Sequence, residues 1–161
     1  MQVEIKERDA FNVLGKFFPT SLATQQPMAW WKSLRIAANQ HGFLQNQGSY
    51  SLQKYPSSYF ESFSPLNSFD YAPGIPLEEG ITTNPSEWEI ISISGGLFAV
   101  FVHRGTAETF PQTMGDFFGN WLPQSSYELD DRIHFCFMPP GYRLNDPAAE
   151  EEIWIPIRPK K

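Results

Sequence analysis

The same order of hydrophobic patterns occurs twice along this chain of 161 residues, and this repeat constrains the fold more than any other feature. In the first half, residues 3–18 have strand-forming composition, and apolar residues recur at helical spacing over 27–41, ahead of a natural stop at Gly42. Residues 50–55 alternate at a period of two, which predicts a strand, and residues 69–75 predict another.

The second half gives the same series of elements. Strand patterns over residues 88–93 and 97–103 lead into a helical pattern over 110–121, which is followed by strands at 133–138 and 152–157. Each half therefore predicts a β-α-β-β unit whose helix carries tryptophan, although few residues are identical between the halves.

Glycine, proline and threonine refine these predictions. Gly15 indicates a β-bulge, and residues 19–27 read as a polar loop. Pro73 cannot donate to a central ladder, so residues 69–75 are predicted as an edge strand. Thr109 stands three residues before Gln112, the spacing of a capping box, and Pro123 is expected to end the second helix.

A duplicated β-α-β-β unit predicts an α+β fold. Its antiparallel sheet would carry both helices on one face and leave a groove on the other, between the repeats. We expect one domain over residues 1–161, with pseudo-repeats of about 1–80 and 81–161. Aromatic residues make up 16% of the chain, a share large enough to line such a groove as well as a core.

Charge and cysteine content exclude several classes of protein. The net charge is −6 and only 19% of residues are charged, so direct nucleic-acid binding is not expected, and the basic residues 158–161 read as a solvated tail. The single Cys136 cannot form an intrachain disulfide. Because no signal peptide or membrane-spanning run is visible, we expect a cytoplasmic protein.

Three ordered motifs in the second half resemble one family. They are a glycine-led strand over residues 95–105, a helix exit of the form W-L-P-x-S-x-Y over 121–127, and a last strand over 150–157 that follows Asn145-Asp146-Pro147 and contains Ile-Trp-Ile-Pro-Ile. Together they resemble the GyrI-like, or bacterial transcription-activator effector-binding, domains of the SHS2-like superfamily. The first half matches more loosely, through residues 50–55 and 69–75.

This resemblance implies two β-α-β-β repeats around a pseudo-twofold axis, with a ligand groove on the helix-free face. Members bind hydrophobic and often cationic aromatic compounds. Some are fused to DNA-binding modules, some inhibit DNA gyrase, and some hydrolyse electrophilic metabolites. The present chain is expected to be the stand-alone form, with a homodimer or a regulatory protein as further partner hypotheses.

One departure from the family affects the expected ligand. The penultimate strand of relatives usually carries a buried glutamate that receives the ligand's positive charge. That position falls at Cys136 here, or at Phe135 if the register slips by one residue. Neither side chain offsets the desolvation of a cation as a carboxylate does, so a preference for cations does not transfer directly.

The ligand-binding residues predicted from these arguments combine rings, a thiol and one carboxylate. Phe98 and Trp154 take the positions of pocket-lining aromatics in relatives, and Tyr50 and Tyr71 could line the other half of the groove. Glu89 is the carboxylate considered as a replacement charge. Core packing is the alternative for every ring, and it is favoured for the helical tryptophans Trp30, Trp31 and Trp121.

The residues predict a binding domain rather than an enzyme. Cys136 and His134 are two apart on one strand, so they share a face, but a buried structural cysteine explains the pattern better than a nucleophile. The three histidines lack metal-ligand spacing, and no cofactor motif is present. A hydrolase of an electrophilic metabolite and a protein-interaction module remain the two alternatives.

Overall fold

The computed structural model describes residues 1–43, 47–77 and 87–161. It confirms the α+β class, with a curled antiparallel sheet of ten strands and two helices. The expected boundary between the repeats, near residue 80, lies outside the described residues. The strands are β1 (Glu4–Arg8), β2 (Phe11–Gly15), β3 (Phe18–Ser21), β4 (Ser49–Lys54), β5 (Ser68–Pro76), β6 (Glu89–Ile93), β7 (Gly96–Arg104), β8 (Tyr127–Leu129), β9 (His134–Met138) and β10 (Glu150–Pro159).

The order of the strands is symmetric about the centre of the sheet. It runs β1-β7-β10-β9-β4-β5-β2-β6, while β3 pairs with β5 and β8 pairs with β10. If β1, β2, β4 and β5 of the first half correspond to β6, β7, β9 and β10 of the second, the order reads identically from either end. This is the symmetry that a duplicated unit would give.

Each half of the chain contributes its first strand to the other half. Strand β1 pairs with β7, and β6 pairs with β2. Only two residues link β1 to β2, although five other strands lie between them in the sheet, and two link β6 to β7. Because both short links must cross between the ends of the sheet, the sheet curls, and its helix-free face becomes the concave inside.

Both helices cover the opposite, convex face, as predicted. Helix α1 (Pro27–Gln40) packs Leu34 and Ala38 on a cluster with Leu14, Ile75 and Trp88. The second helix consists of a 3₁₀ turn (Ala107–Thr109), α2 (Phe110–Asp116), a π-helical turn (Phe117–Trp121) and α3 (Leu122–Gln124). Its fully buried Phe117 packs in a second cluster, with the isoleucines of β10.

Two predictions in the first half are wrong. Part of the predicted polar loop forms β3, which pairs with β5. Strand β5 is central rather than at an edge, because β4 lies on one side of it and β2 and β3 lie on the other. Pro73 faces the interruption between β2 and β3, just after Gly15. No ladder hydrogen bond is required at this point, so a proline is tolerated there.

Two predictions at the second helix also need correction. Thr109 has helical backbone angles and its hydroxyl donates to the Thr106 carbonyl at 3.1 Å, so it forms no capping box. Pro123 does not end the helix, which continues to Gln124 because the first turn of a helical segment tolerates proline. The short strand β8 was not predicted.

Candidate functional site

The convex face has a polar strip between its two helices. The apolar clusters lie beneath α1 and beneath the second helix, whereas the central strands β4, β5, β9 and β10 present polar or polarisable groups between them. Ser51 is opposite Cys136 and Gln53 is opposite Tyr71 in the strand register. We call the set Ser51, Gln53, Tyr71, Cys136 and Glu151 the inter-helix strip.

Glu151 is the only ionisable carboxyl in this strip. It lies on β10, two residues before the buried Ile153, so it faces the helices, as Ile153 does. Burial raises its pKa from 4.5 to about 7. Among the described residues no hydrogen bond or ion pair reaches this carboxyl. Such a group stays partly protonated at neutral pH and becomes strongly attractive to a cation once it ionises.

Neighbouring basic groups are already engaged with other partners. His103 lies opposite Glu151 in the ladder, but its Nε2 donates to the Thr106 carbonyl at 3.0 Å and its Nδ1 accepts from the Thr113 hydroxyl at 2.8 Å. Arg104 forms an exposed 3.9 Å ion pair with Glu150. The chain therefore leaves the charge of Glu151 uncompensated within its described residues.

Two tyrosines are close enough to Glu151 for its charge to act on them. Trp31 of helix α1 donates from Nε1 to the Tyr71 hydroxyl at 2.9 Å, and the Trp30 ring lies 5.5 Å from the Tyr71 ring. Burial and, less strongly, the charges of Glu151 and Cys136 raise the pKa of Tyr142 to about 12. Burial is also the main cause that raises the pKa of Tyr71, and the charge of Glu151 adds to it. Both phenols therefore stay neutral at physiological pH.

The buried thiol of Cys136 also belongs to the strip. Burial and the nearby Glu151 both raise its pKa, and only 4% of the residue is exposed. His134 shares the face, but burial lowers its pKa to about 3. A neutral thiol beside a neutral imidazole is the reverse of an activated thiolate–imidazolium pair. The geometry therefore gives no support to a cysteine nucleophile.

Aromatic residues of the segment after β4 fill the far end of the strip. Phe60 stacks on His134 at 5.7 Å and on Phe118 of the second helix at 5.1 Å, and Tyr55 meets His134 edge-on at 4.8 Å. A cavity of about 470 Å³ is lined by Tyr55, Phe60 and His134, and also by Arg132 and Arg158. The buried Tyr59 hydroxyl lacks a hydrogen-bond partner in the described part of the chain.

The six predicted ligand residues fall on two different faces. Tyr71 and Cys136 belong to the inter-helix strip, whereas Tyr50, Phe98, Trp154 and Glu89 lie on the helix-free face. Cys136 and Trp154 cannot line one surface, because Phe135 is the residue paired with Trp154. Glu89 is exposed on the edge strand β6.

The rings of the helix-free face pack against one another inside the curl. Phe135 stacks on Trp154 at 5.3 Å, and Phe98 meets Trp154 edge-on at 5.6 Å. Phe98 and Phe135 are fully buried, and Tyr50 and Trp154 are 8% and 7% exposed. A second cavity, of about 580 Å³, opens away from these rings, between β1, β7 and the second helix.

The sequence interpretation missed Glu151, Tyr142 and Phe60. The run from Glu150 to Glu152 falls in the predicted last strand, and none of its residues was predicted as a ligand contact. The two-residue period of β10 contained the missing signal, because it places the middle glutamate on the face of the buried isoleucines. Tyr142 and Phe60 lie in irregular segments, where no periodic pattern indicates which way a side chain points.

Within residues 1–43, 47–77 and 87–161, no three His, Cys, Asp or Glu side chains are grouped as metal ligands would be. No helix in these ranges is both long and apolar enough to cross a bilayer.

Comparisons with known families and solved structures show what this chain is similar to. The sequence profile of the GyrI-like small molecule binding domain matches residues 1–158. No curated protein sequence matches the chain. The fold is similar to that of SAV2435, solved bound to tetraphenylphosphonium, with a TM-score of 0.70 and 13% identity over 98% of this chain and 94% of that one.

Two further structures share the fold. The EcmrR C-terminal domain has a TM-score of 0.68 and 12% identity, over 99% of this chain and 98% of that one. A hydrolase encoded by lin2189 from Listeria innocua has a TM-score of 0.65 and 10% identity, over 98% and 92%. At these identities the structures show the common fold, and the profile match over nearly the whole sequence shows that the chain belongs to the GyrI-like small-molecule-binding domain family.

Proposed function

We propose that this chain binds lipophilic aromatic cations in the inter-helix strip and that Glu151 supplies the charge that recognises them. The observation that carries the proposal is a partly buried carboxyl, its pKa raised to about 7, with no ion-pair or hydrogen-bond partner among the described residues. A cation that reaches it would provide the missing compensation, and Tyr71 and Tyr142 would offer ring faces.

The position of Glu151 also accounts for the departure from the family pattern. Cys136, or Phe135 if the register slips by one residue, takes the place at which relatives are expected to carry the carboxylate, and the charge of Glu151 acts on the Cys136 thiol. A glutamate on the adjacent strand β10 would thus supply a carboxylate to the same part of the site. The binding of tetraphenylphosphonium by SAV2435 supports the ligand class.

A cavity of about 470 Å³, a volume within the range of roughly 300–1,000 Å³ typical of small-molecule sites, lies beside Tyr55, Phe60 and His134, and none of the five strip residues lines it. Glu151 is seven residues from Arg158, the β10 residue that lines this cavity, so a ligand at Glu151 would need room between the helices outside it.

The test compares tetraphenylphosphonium with triphenylphosphine oxide, which is neutral and similar in shape, by thermal unfolding at pH 8. At a hundred times its dissociation constant a ligand stabilises by about 2.7 kcal/mol, which raises the midpoint of a domain of this size by roughly 5–10 °C. We expect the cation to raise the midpoint of the native protein and not that of Glu151→Gln.

Glu150→Gln is the matched control, because Glu150 is the adjacent residue of β10 and is exposed. It should keep the response to the cation. An equal response to both compounds, or a response that survives in Glu151→Gln, would show that Glu151 does not recognise charge.

Hydrolysis of an electrophile is the second candidate function, and the pKa of Glu151 is the observation that favours it. A carboxyl with a pKa of about 7 is well matched to general-base activation of water at neutral pH. An aryl epoxide such as styrene oxide tests this role through diol formation. The rate of hydrolysis should rise with pH through about 7 and should be lost in Glu151→Gln. If the protein binds the phosphonium but forms no diol, the hydrolase function is wrong and only the binding function stands.

A further inference from the structure

A second charged group sits among aromatic rings on the opposite face of the sheet. Arg8 ends β1, and its guanidinium carbon lies 3.8 Å from the centre of the Phe11 ring, 5.1 Å from that of Trp154 and 5.4 Å from that of Phe135. Its Nη2 donates to the Tyr50 hydroxyl at 3.2 Å. The guanidinium is therefore held in a fixed position by contacts from four different strands.

These contacts leave most of the hydrogen-bonding capacity of Arg8 unused. A guanidinium has five N–H donors arranged as a planar fork, and the contact with Tyr50 uses one of them. No carboxylate in the described ranges lies within ion-pair distance of it, whereas Arg132 pairs with Asp130 at 2.7 Å and Arg158 with Glu128 at 3.2 Å. The side chain is only partly buried, so its outer edge remains accessible.

A second cation lies close to this position. Lys6, two residues earlier on β1, lies on the same face, with its Nζ 5.7 Å from the Trp154 ring centre. Its ion pair with Glu4 is exposed and therefore weak. Glu152 of β10 also lies on this face of the sheet, and it accepts a hydrogen bond from Trp154 Nε1 at 2.9 Å. Two cations therefore stand on β1 beside an aromatic surface.

We propose that Arg8, together with Phe11 and Lys6, forms a second binding site that takes a flat aromatic carboxylate. The carboxylate would accept two parallel hydrogen bonds from the free edge of the guanidinium, a geometry that matches the fork of arginine. The aromatic part of the ligand would stack on the partly exposed Phe11 ring. This site lies on the other face from the inter-helix strip and selects the opposite charge, so it does not depend on the proposed function.

The test is a titration with 2-naphthoate, followed by two-dimensional NMR of the ¹⁵N-labelled protein, with neutral 2-naphthamide as the matched probe. We expect naphthoate to shift the resonances of Arg8, Phe11 and Tyr50, and naphthamide to bind at least about tenfold more weakly. Arg8→Gln should weaken naphthoate binding by a similar factor. Arg104→Gln, which removes an exposed arginine at the other end of β7, should not change it.

Arg8→Lys separates recognition from folding. It keeps the positive charge and most of the side-chain stem, so the protein should stay folded, but it lacks the fork and should also bind naphthoate more weakly. Glu151→Gln should leave naphthoate binding intact, which keeps this test independent of the inter-helix site.

Three results would overturn the proposal. Naphthoate could bind equally well to the native protein and to Arg8→Gln, or naphthamide could bind as tightly as naphthoate. Alternatively, tetramethylammonium could bind to Arg8→Ala while naphthoate fails to bind the native protein. The ring cluster would then be a cation cage that Arg8 closes, and the assignment to anions would be wrong.

Discussion

Replacement of Glu151 by glutamine should stabilise the protein at alkaline pH and have little effect under acidic conditions. The folded state raises the pKa of this carboxyl from 4.5 to about 7 because burial disfavours the charged form. Below pH 4.5 the carboxyl is protonated in both the folded and the unfolded chain. As the pH rises from there to 7, the unfolded chain ionises first, and the folded state loses stability relative to it.

The size of this loss follows from the two pKa values. At about 1.4 kcal/mol for each pKa unit, the difference between 4.5 and about 7 corresponds to an upper value of about 3.5 kcal/mol above pH 7. The carboxyl is half-buried and retains some contact with solvent, so the measured loss should not exceed this value. Glutamine cannot ionise, so Glu151→Gln should recover up to that amount at pH 8 and almost nothing at pH 4.5.

Urea denaturation at a series of pH values from 4.5 to 8 measures this difference. The quantity to follow is the free energy of unfolding of Glu151→Gln minus that of the native protein, because subtraction removes the contributions of other titrating groups. It should increase steadily with pH, whereas the same difference for the exposed Glu150→Gln should stay near zero. A difference for Glu151→Gln that does not change with pH would refute the claim that burial perturbs this carboxyl.

Two further predictions concern the sheet. Gly15→Ala should lower the free energy of unfolding by about 1–3 kcal/mol in urea denaturation, because its Cβ would lie 2.5 Å from the Pro73 carbonyl oxygen. Gly119→Ala is the control: a Cβ at Gly119 meets no atom within 4 Å, so this variant should not be destabilised. Equal effects of the two substitutions would contradict the packing argument. Cys136 should react with a disulfide reagent only after unfolding, since its thiol is buried and its pKa is raised; fast labelling of the native protein would show that the strip opens to solvent.

Local patterns predicted the elements whose formation depends on nearby residues. Helix α1 and strands β4 and β7 were confirmed, because helical spacing and two-residue alternation are properties of a short window. The central place of β5 could not be predicted in this way. Pro73 is tolerated there only because β2 gives way to β3 on the neighbouring strand, and that interruption is visible only once the strands are paired.

The candidate site was harder to predict than the fold. Cys136 and Trp154 were assigned to one surface, but a shift of one residue in the strand register exchanges the two faces of a sheet, and sequence does not fix that register. The alternation of β10 does indicate that Glu151 shares a face with Ile153. It does not indicate that the neighbouring bases His103 and Arg104 have other partners, because those contacts come from distant residues.

The exchange of first strands between the two halves has a consequence for a single half in isolation. Such a fragment would carry its own leading strand, β1 or β6, with no pairing partner, and an unpaired place at the sheet edge where the strand from the other half belongs. Two copies could satisfy both needs by swapping these strands, which would give a homodimer with the present topology. Joining two such copies in one polypeptide turns the swap into an intramolecular event and removes its dependence on protein concentration.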